Sequence, residues 1–363
     1  MLLIWSGFIL LVLLMLVLDL GVFNRKDHAI STKEALGWSA VWIAISLLFG
    51  VFIYFGYEYQ WLGLGVAADA VDGTINDGSA AFVKYLTGYI VEKSLSVDNI
   101  FVMALIFGFM GVARRYQHRV LIWGIIGALI LRGAMIGIGA QLIARFQWIL
   151  YVFGGFLVLT ALKMLLVRDG HNDPSKSVAV RLIRRFSRVT DRYHCQHFVV
   201  RAGSEGSHAG RVPEEAPEPD PTVDRARPGT WLLTPLALAL VLIETTDLIF
   251  AVDSIPAVFA ITADPFLVFT SNIFAILGLR SLYFALAGMV RKFRYLKVAL
   301  AAVLAIVGFK MLAHTWLQAL LGRYFNLYLL AAIAVILAAG VIASIVADRR
   351  DREKELCLKR SGG

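Results

Sequence analysis

The stretch that decides the fold is WLLTPLALALVLIETTDLIFAVDSIPAVFA at residues 231–260. It is apolar over the length that an α-helix needs to cross a hydrocarbon core of about 30 Å. Within it lie three acidic residues, Glu244, Asp247 and Asp253. Charged side chains are costly inside a membrane and persist there where they face a protein interior or a water-filled cavity. The stretch therefore predicts a membrane-spanning helix whose acidic side chains face a protein interior or a water-filled cavity.

Eight further apolar stretches flank this one. The composition agrees, because 59% of residues are apolar and 17% are charged, whereas soluble domains average about half and a quarter. An ordinary water-soluble domain is therefore excluded. The sequence predicts an all-α polytopic membrane protein of about nine transmembrane helices: 2–23, 35–56, 80–111, 119–143, 148–167, 231–260, 266–288, 296–317 and 326–347. The first stretch lacks a basic leader and a cleavage site, so it is expected to be a retained helix.

Basic residues predict the orientation. Lys and Arg cluster in alternate loops and in the tail, which by the positive-inside rule places the N-terminus outside and the C-terminus in the cytoplasm. The net charge of +9 belongs to these loops and does not indicate nucleic-acid binding. The loop at 57–79 is acidic and expected to be solvated. The predicted divisions are helices 1–5 in 1–167, a largely disordered cytoplasmic linker in 168–230, helices 6–9 in 231–347 and a charged cytoplasmic tail in 348–363.

The chain contains an internal repeat. Val-Asp-Asn-Ile at 97–100 recurs as Val-Asp-Ser-Ile at 252–255. Each copy is followed by an arginine and a lysine in later apolar stretches: Arg132 and Lys163 in the first, Arg280 and Lys310 in the second. The predicted orientation makes the three-helix units at about 80–167 and 231–317 inverted copies. Inverted repeats with polar sites at mid-membrane are typical of secondary transporters.

Polar side chains within the predicted spans suggest a cation site. Eight are candidate ligands: Asp19, Glu92, Asp98, Asn99, Glu244, Asp247, Asp253 and Ser254. Five are candidates for transport or counter-charge roles: Arg132, Lys163, Asn272, Arg280 and Lys310. Carboxylate, amide and hydroxyl oxygens suit Mg²⁺, Ca²⁺ or Mn²⁺ better than copper or zinc. Structural ion pairing among these charges is the alternative explanation.

Helical geometry limits which ligands can meet. Glu92, Ser96 and Asn99 share one helical face, and Asp98 lies about 120° away. Glu244 and Asp253 lie about 180° apart on an ideal helix. They can share a site only if the helix breaks, and Pro256 predicts a break beside Asp253 because it lacks an N–H group.

Four segments of the chain resemble the TerC family of integral membrane proteins: LDLGVFNRK at 18–26, EKSLSVDNIFV at 92–102, ETTDLIFAVDSIPA at 244–257 and TSNIFAILGLRSLYF at 270–284. The resemblance covers about 10–315, apart from the 168–230 insert. It implies a bacterial inner-membrane protein related to the LysE-type transporters, with links to Mn²⁺ efflux and, by name, to tellurite resistance. It also implies that the eight candidate ligands occupy the family's acidic-motif positions.

The sequence thus favours a Mn²⁺ exporter, with proton antiport as one form of coupling and Ca²⁺ or Mg²⁺ as alternative cargoes. No cofactor and no enzymatic activity are expected, and the partners are the metal ion, protons and the bilayer. Tellurite is an anion that carboxylates would repel. The main alternative is a membrane assembly or scaffold protein with an ion-paired core. An intramembrane aspartyl protease is disfavoured because its Gly-x-Gly-Asp signature is absent from the sequence.

Overall fold

The computed structural model describes residues 2–19, 32–166, 189–190, 197–202, 221–224, 227–286, 295–313, 316–317, 322 and 325–361. These residues are overwhelmingly helical, since backbone groups inside a bilayer must be satisfied internally. The helices are α1 Leu2–Val17, α2 Thr32–Glu58, α3 Gly78–Met110, α4 Arg114–Arg145, α5 Ile149–Leu166, α6 Pro221–Asp224, α7 Pro235–Phe259, α8 Pro265–Ile276, α9 Leu279–Leu286, α10 Leu296–Leu312 and α11 Phe325–Ser361. A 3₁₀ turn covers Trp61–Gly63.

Among the described residues, six helical segments are long and apolar enough to cross a membrane: Thr32–Glu58, Tyr116–Arg145, Ile149–Leu166, Pro235–Phe259, Pro265–Leu286 and Phe325–Arg350. The apolar helix α1 is shorter. The all-α membrane class is therefore confirmed. The count of nine spans, the orientation and the inversion of the repeat stay predictions.

Local signals in the sequence explain where the central helices begin and end. The Asp77 carboxylate accepts a hydrogen bond from the Ala80 N–H at 2.7 Å and caps α3, which ends at Gly111 with a φ of 67°. Helix α7 begins with Thr234 as its cap and Pro235 as its first residue. Proline suits that position because its missing N–H would have no helical partner there.

Helices of the two predicted repeat units pack against each other. Helix α3 packs against α7 and α8, α4 packs against α7, and α5 packs against α10 along its length. A β-carbon on Gly308 would lie 2.9 Å from the carbonyl oxygen of Gly154, so α5 and α10 approach closely where both residues are glycine. In the predicted repeat, α3 corresponds to α7, α4 to α8 and α9, and α5 to α10. The contacts therefore link equivalent or exchanged helices.

Helix α7 runs unbroken through Pro256. The predicted break at this proline is wrong, because the helix continues and Ala260 N–H donates to the Pro256 carbonyl at 2.9 Å. The end of α7 is fully buried, and neighbouring helices can support a proline within a membrane helix. Glu244 and Asp253 consequently point to different neighbours.

The seventh predicted span, by contrast, is discontinuous. Helix α8 ends at Ile276 and α9 begins at Leu279. Between them Gly278 has a φ of 80°, a conformation that favours glycine. The Lys93 ammonium of α3 donates to the carbonyl oxygens of Ala275 at 3.1 Å and Leu277 at 3.4 Å. A lysine thus satisfies carbonyls that the end of α8 leaves free.

We expect Gly278→Ala to lower the free energy of unfolding by at least about 2 kcal/mol. Its β-carbon would take a disfavoured φ and lie 2.7 Å from Cγ of the Trp42 ring. Thermal unfolding in detergent measures the change. The matched control is Gly155→Ala on α5, where no atom of the described residues lies within 4 Å of the added carbon. Equal stability of the two variants would contradict the prediction.

Most of the predicted 168–230 linker lies outside the described residues. Its described part includes β1, Val199–Arg201, which pairs antiparallel with β2, Trp231–Leu233. The predicted span at 231–260 therefore begins as a strand, and its helix starts at Pro235.

The acidic α2–α3 loop, residues 59–77, is folded into the bundle. Asp69 is 3% exposed and Lys84 on α3 is fully buried, so the expectation of a solvated loop is wrong for this part of it. The Lys84 ammonium lies 2.8 Å from Asp69 and 2.7 Å from Asp72. Asp69 also accepts hydrogen bonds from the Thr262 hydroxyl and from the Ala263 N–H, the latter at 2.9 Å. The loop is thereby tied to the segment that joins α7 and α8.

This anchor is expected to weaken in acid. Burial alone would raise the pKa of the Asp69 carboxyl, but the Lys84 ammonium and the Thr262 hydroxyl hold that pKa below its usual 3.8. A depressed folded-state pKa contributes stability above pH 3.8, and this stability is lost as the pH falls through the folded-state value. Melting temperatures from pH 6 to pH 3 should therefore fall further for the wild type than for Asp69→Asn. Parallel curves would contradict this.

Candidate functional site

A buried arginine lies where α3, α4 and α7 meet. Arg132 on α4 is 1% exposed. Its Nη2 lies 2.9 Å from Oδ1 of Asp247 on α7, and its Nε donates to Oδ2 of the same carboxylate at 3.2 Å. Its Nη1 contacts the carboxylate of Glu92 on α3, which is fully buried. The forked guanidinium thus holds two carboxylates from different helices, a geometry that favours arginine over lysine.

Three neutral side chains complete this Arg132 cluster. Asn272 on α8 donates to Glu92 Oε2 at 3.2 Å and accepts from Arg132 Nη1 at 3.4 Å. Ser254 Oγ accepts from the same Nη1 at 3.5 Å. Asn99 Nδ2 donates to Asp247 Oδ1 at 3.1 Å. We define the Arg132 cluster as Glu92, Asn99, Arg132, Asp247, Ser254 and Asn272.

The structure brings part of the sequence-based candidate set together. The cluster contains four of the eight candidate ligands, together with Arg132 and Asn272 from the counter-charge set. Two carboxylates and one guanidinium give a formal charge of −2 + 1 = −1. In a low-dielectric interior this residual charge attracts cations strongly.

Two buried side-chain oxygens, one beside the cluster and one within it, have no hydrogen-bond partner among the residues that the structure describes. Ser96 is 1% exposed, and its Oγ has no hydrogen-bond partner. The Oδ1 of Asn99 is likewise buried and without one. Ser96 lies one helical turn from both Glu92 and Asn99, on the same face of α3. The helical face predicted for Glu92 and Asn99 includes Ser96, although Ser96 is not among the eight predicted ligands.

The other four candidate ligands are not in the cluster. Because α7 is unbroken, Asp253 faces α5 and accepts a hydrogen bond from Thr160 at 3.3 Å. Glu244 packs on Gly127 of α4, where an added β-carbon would lie 2.1 Å from Glu244 Oε1. The structure therefore divides the candidate ligands between the Arg132 cluster and other positions.

Asp98 and Asp19 also lie elsewhere. Asp98 is half-buried, as expected of a residue turned away from the face that carries Ser96. Asp19 is buried, and its carboxylate lies 2.9 Å from Nη2 of Arg280. No three carboxylate, histidine or cysteine side chains of the described residues lie close enough together to hold a metal ion.

The residues that the repeat equates have different surroundings. Arg132 bridges two carboxylates, whereas Arg280 binds Asp19 and its Nη1 lies 2.9 Å from His118 Nε2. Lys163 is exposed on α5. Lys310 is buried and donates to the Ala260 carbonyl oxygen at 2.8 Å. The equivalent residues therefore do not form two equal sites.

Comparisons with known proteins identify relatives that are membrane proteins. The model of the family described as "Integral membrane protein TerC family" matches residues 77–352. An "uncharacterized membrane protein" of Myxococcus xanthus is 44% identical over 345 residues, 95% of this chain and 92% of that protein. The "putative membrane-bound redox modulator Alx" of Escherichia coli K12 is 42% identical over 311 residues, 85% of each chain. Its namesake in Photorhabdus laumondii is 39% identical over 344 residues, 94% of each chain. No solved structure matches the chain. This chain therefore belongs to the TerC family of integral membrane proteins.

Proposed function

We propose that this protein exports a divalent metal cation, preferentially Mn²⁺, across the bacterial inner membrane, and that the cation binds at the Arg132 cluster. The observation that carries the proposal is a pair of buried oxygens, Ser96 Oγ and Asn99 Oδ1, that have no hydrogen-bond partner in the described part of the chain and lie at a cluster with a net charge of −1. A cation would satisfy both features at once.

These two buried oxygens are energetically unfavourable without a ligand. A buried polar atom without a hydrogen bond costs about 1–3 kcal/mol. Such atoms are rare in native proteins, and each one calls for an explanation such as an ion. Hydroxyl and amide oxygens that join two carboxylates form a hard donor set, which suits Mn²⁺, Ca²⁺ or Mg²⁺.

Arg132 has a defined part in this proposal. While no metal is bound, its permanently charged guanidinium pairs with Glu92 and Asp247 in place of the transported cation. When a divalent cation binds, the guanidinium releases one of the carboxylates, which then binds the cation. A carboxylate that later releases the metal can accept a proton, which is the basis for proposing proton antiport.

Metal flux into proteoliposomes tests the proposal, with Mn²⁺, Ca²⁺ and Mg²⁺ measured separately for the wild type and for Ser96→Ala. We expect Ser96→Ala to raise the Mn²⁺ concentration needed for half-maximal flux by about 10–100-fold, an effect typical of residues that support a metal site. Its melting temperature should hold or rise, because the variant removes a buried hydroxyl that has no partner.

The matched control is Ser39→Ala on α2. Ser39 is also buried, but its hydroxyl donates to the Ala35 carbonyl within its own helix at 2.9 Å. This variant should transport like the wild type. Absence of flux for all three ions in folded wild-type protein would overturn the transport proposal. If the dependence of flux on Mn²⁺ concentration is unchanged in Ser96→Ala, the proposed binding site is wrong.

A scaffold or assembly protein is the second candidate function. The observation that favours it is that Arg132 already holds both buried carboxylates, as a purely structural ion pair would. The Alx relatives carry the name "redox modulator". Metal export is consistent with this name, because Mn²⁺ is redox-active and its export would affect redox chemistry indirectly. A direct role in moving tellurite is disfavoured, since a net negative cluster repels anions.

A further inference from the structure

A small cavity extends between the Arg132 cluster and Arg280. Asp247 and Arg280 both line it, and α4 contributes Leu121 and Ala128. Its volume of about 10 Å³ is about the room that one water molecule requires. In this state the cavity is therefore too narrow for a hydrated cation, although it joins the two charged groups.

The break between α8 and α9 forms part of the cavity wall. Ile276, the last residue of α8, and Leu279, the first of α9, both line it. The left-handed Gly278 between them is the point where the backbone changes direction. Positions at helix ends are where domain and segment hinges usually occur. Lys93 holds the α8 side of this break through two carbonyl oxygens.

The α9 side of the break is held by Arg280. Its Nη2 donates at 2.9 Å to both the carboxylate and the backbone carbonyl oxygen of Asp19, and its Nη1 lies 2.9 Å from His118 Nε2. Arg280 thus neutralises the one carboxylate at this end of the cavity that the sequence marked as a candidate ligand. Its positive charge also opposes the approach of any cation.

We propose that this cavity is the cytoplasmic access route of the transported cation and that Arg280 is its gate. The proposal rests on the transport function proposed above and on the predicted orientation, which puts Asp19 and His118 at the cytoplasmic side. When α9 turns about Gly278, Arg280 leaves the cavity and releases Asp19. The freed carboxylate receives the cation, which then passes Leu121 and Ala128 to reach Asp247.

Thiol accessibility tests this route without relying on flux. Cys195 and Cys357 are the two cysteines of the sequence, so Cys195→Ser with Cys357→Ser gives a cysteine-free parent. Into it we would introduce Ala128→Cys in the cavity wall. The control is Ile136→Cys, two turns further along α4, buried but not in the wall. The probe is 2-(trimethylammonium)ethyl methanethiosulfonate, a membrane-impermeant cation.

We expect Ala128→Cys to react in inside-out vesicles and not in right-side-out vesicles, and Ile136→Cys to react in neither. Adding Arg280→Gln should raise the rate of the cytoplasmic reaction by about tenfold or more, because one positive charge leaves the route. Leu121→Cys, also in the wall, serves as the second position if Ala128→Cys does not fold.

Reaction from the outer side, no reaction at either cavity position, or a rate that Arg280→Gln leaves unchanged would overturn the gate. These results are separable from the proposed function. Normal Mn²⁺ flux with failed labelling would reject the access route alone, whereas the expected labelling in a protein that moves no metal would reject the cargo and keep the gated route.

Discussion

Replacement of Arg132 by glutamine is expected to cost about 3–5 kcal/mol of stability, the largest single effect we foresee. Glutamine leaves the carboxylates of Glu92 and Asp247 buried together without their counter-charge. Removing one partner of a buried ion pair is far more costly than removing all of its members. Thermal unfolding in detergent, followed by circular dichroism, measures the loss.

The compensated variant Glu92→Gln, Arg132→Gln, Asp247→Asn separates structure from transport. It keeps the approximate shapes of the three side chains and removes all three charges, so most of the lost stability should return. Under the transport proposal this folded variant moves no Mn²⁺, because the cation site has lost its charge. Full transport by the compensated variant would favour the scaffold function, and an unchanged melting temperature in Arg132→Gln would contradict the ion-paired core.

The second large effect concerns transport. Asp247→Asn should reduce Mn²⁺ flux by on the order of 100-fold or more, at or beyond the range measured when a residue that supports a metal site is lost. The cluster's formal charge changes from −1 to −1 + 1 = 0, so its attraction for a divalent cation is lost. Arg132 keeps Glu92 as a partner, and we therefore expect the variant to fold. Proteoliposome flux, with protein content and melting temperature matched, is the measurement.

The informative comparison is Asp253→Asn on the same helix. Asp253 corresponds to Asp98 in the repeat, yet it contacts Thr160 instead of the Arg132 cluster. We expect a clearly smaller loss of flux than for Asp247→Asn. Equal losses would mean that Asp253 binds the cation at another step of the cycle, and a larger loss would place the main site at Asp253.

The helices and the types of residue in the polar core could be predicted from the sequence. Long apolar runs can satisfy their backbone within a membrane only as helices, which made the all-α class predictable. The acidic residues were equally conspicuous, since charges are rare in such runs. The face shared by Glu92, Ser96 and Asn99 followed from helical geometry, and the structure points two of the three towards Arg132 and Asp247.

The tertiary details could not be read from the sequence. Pro256 carries a strong local signal for a break, but burial of the end of α7 outweighs it. The actual break at Leu277–Gly278 has only a glycine to mark it, and glycine is common in membrane helices for packing reasons. The partners of Lys84 and Lys93 could not be predicted either, because they come from the irregular loop that precedes α3 and from backbone carbonyls at the end of α8.

The last helix has a practical consequence for experiments. With 37 residues, α11 is about 55 Å long, well beyond a hydrocarbon core of about 30 Å. Its final turns therefore project into the aqueous phase as a continuous helix. A helical protein fused in register after Ser361 would inherit a fixed orientation, and so provide a rigid fiducial for electron cryomicroscopy of a protein of only 40.1 kDa.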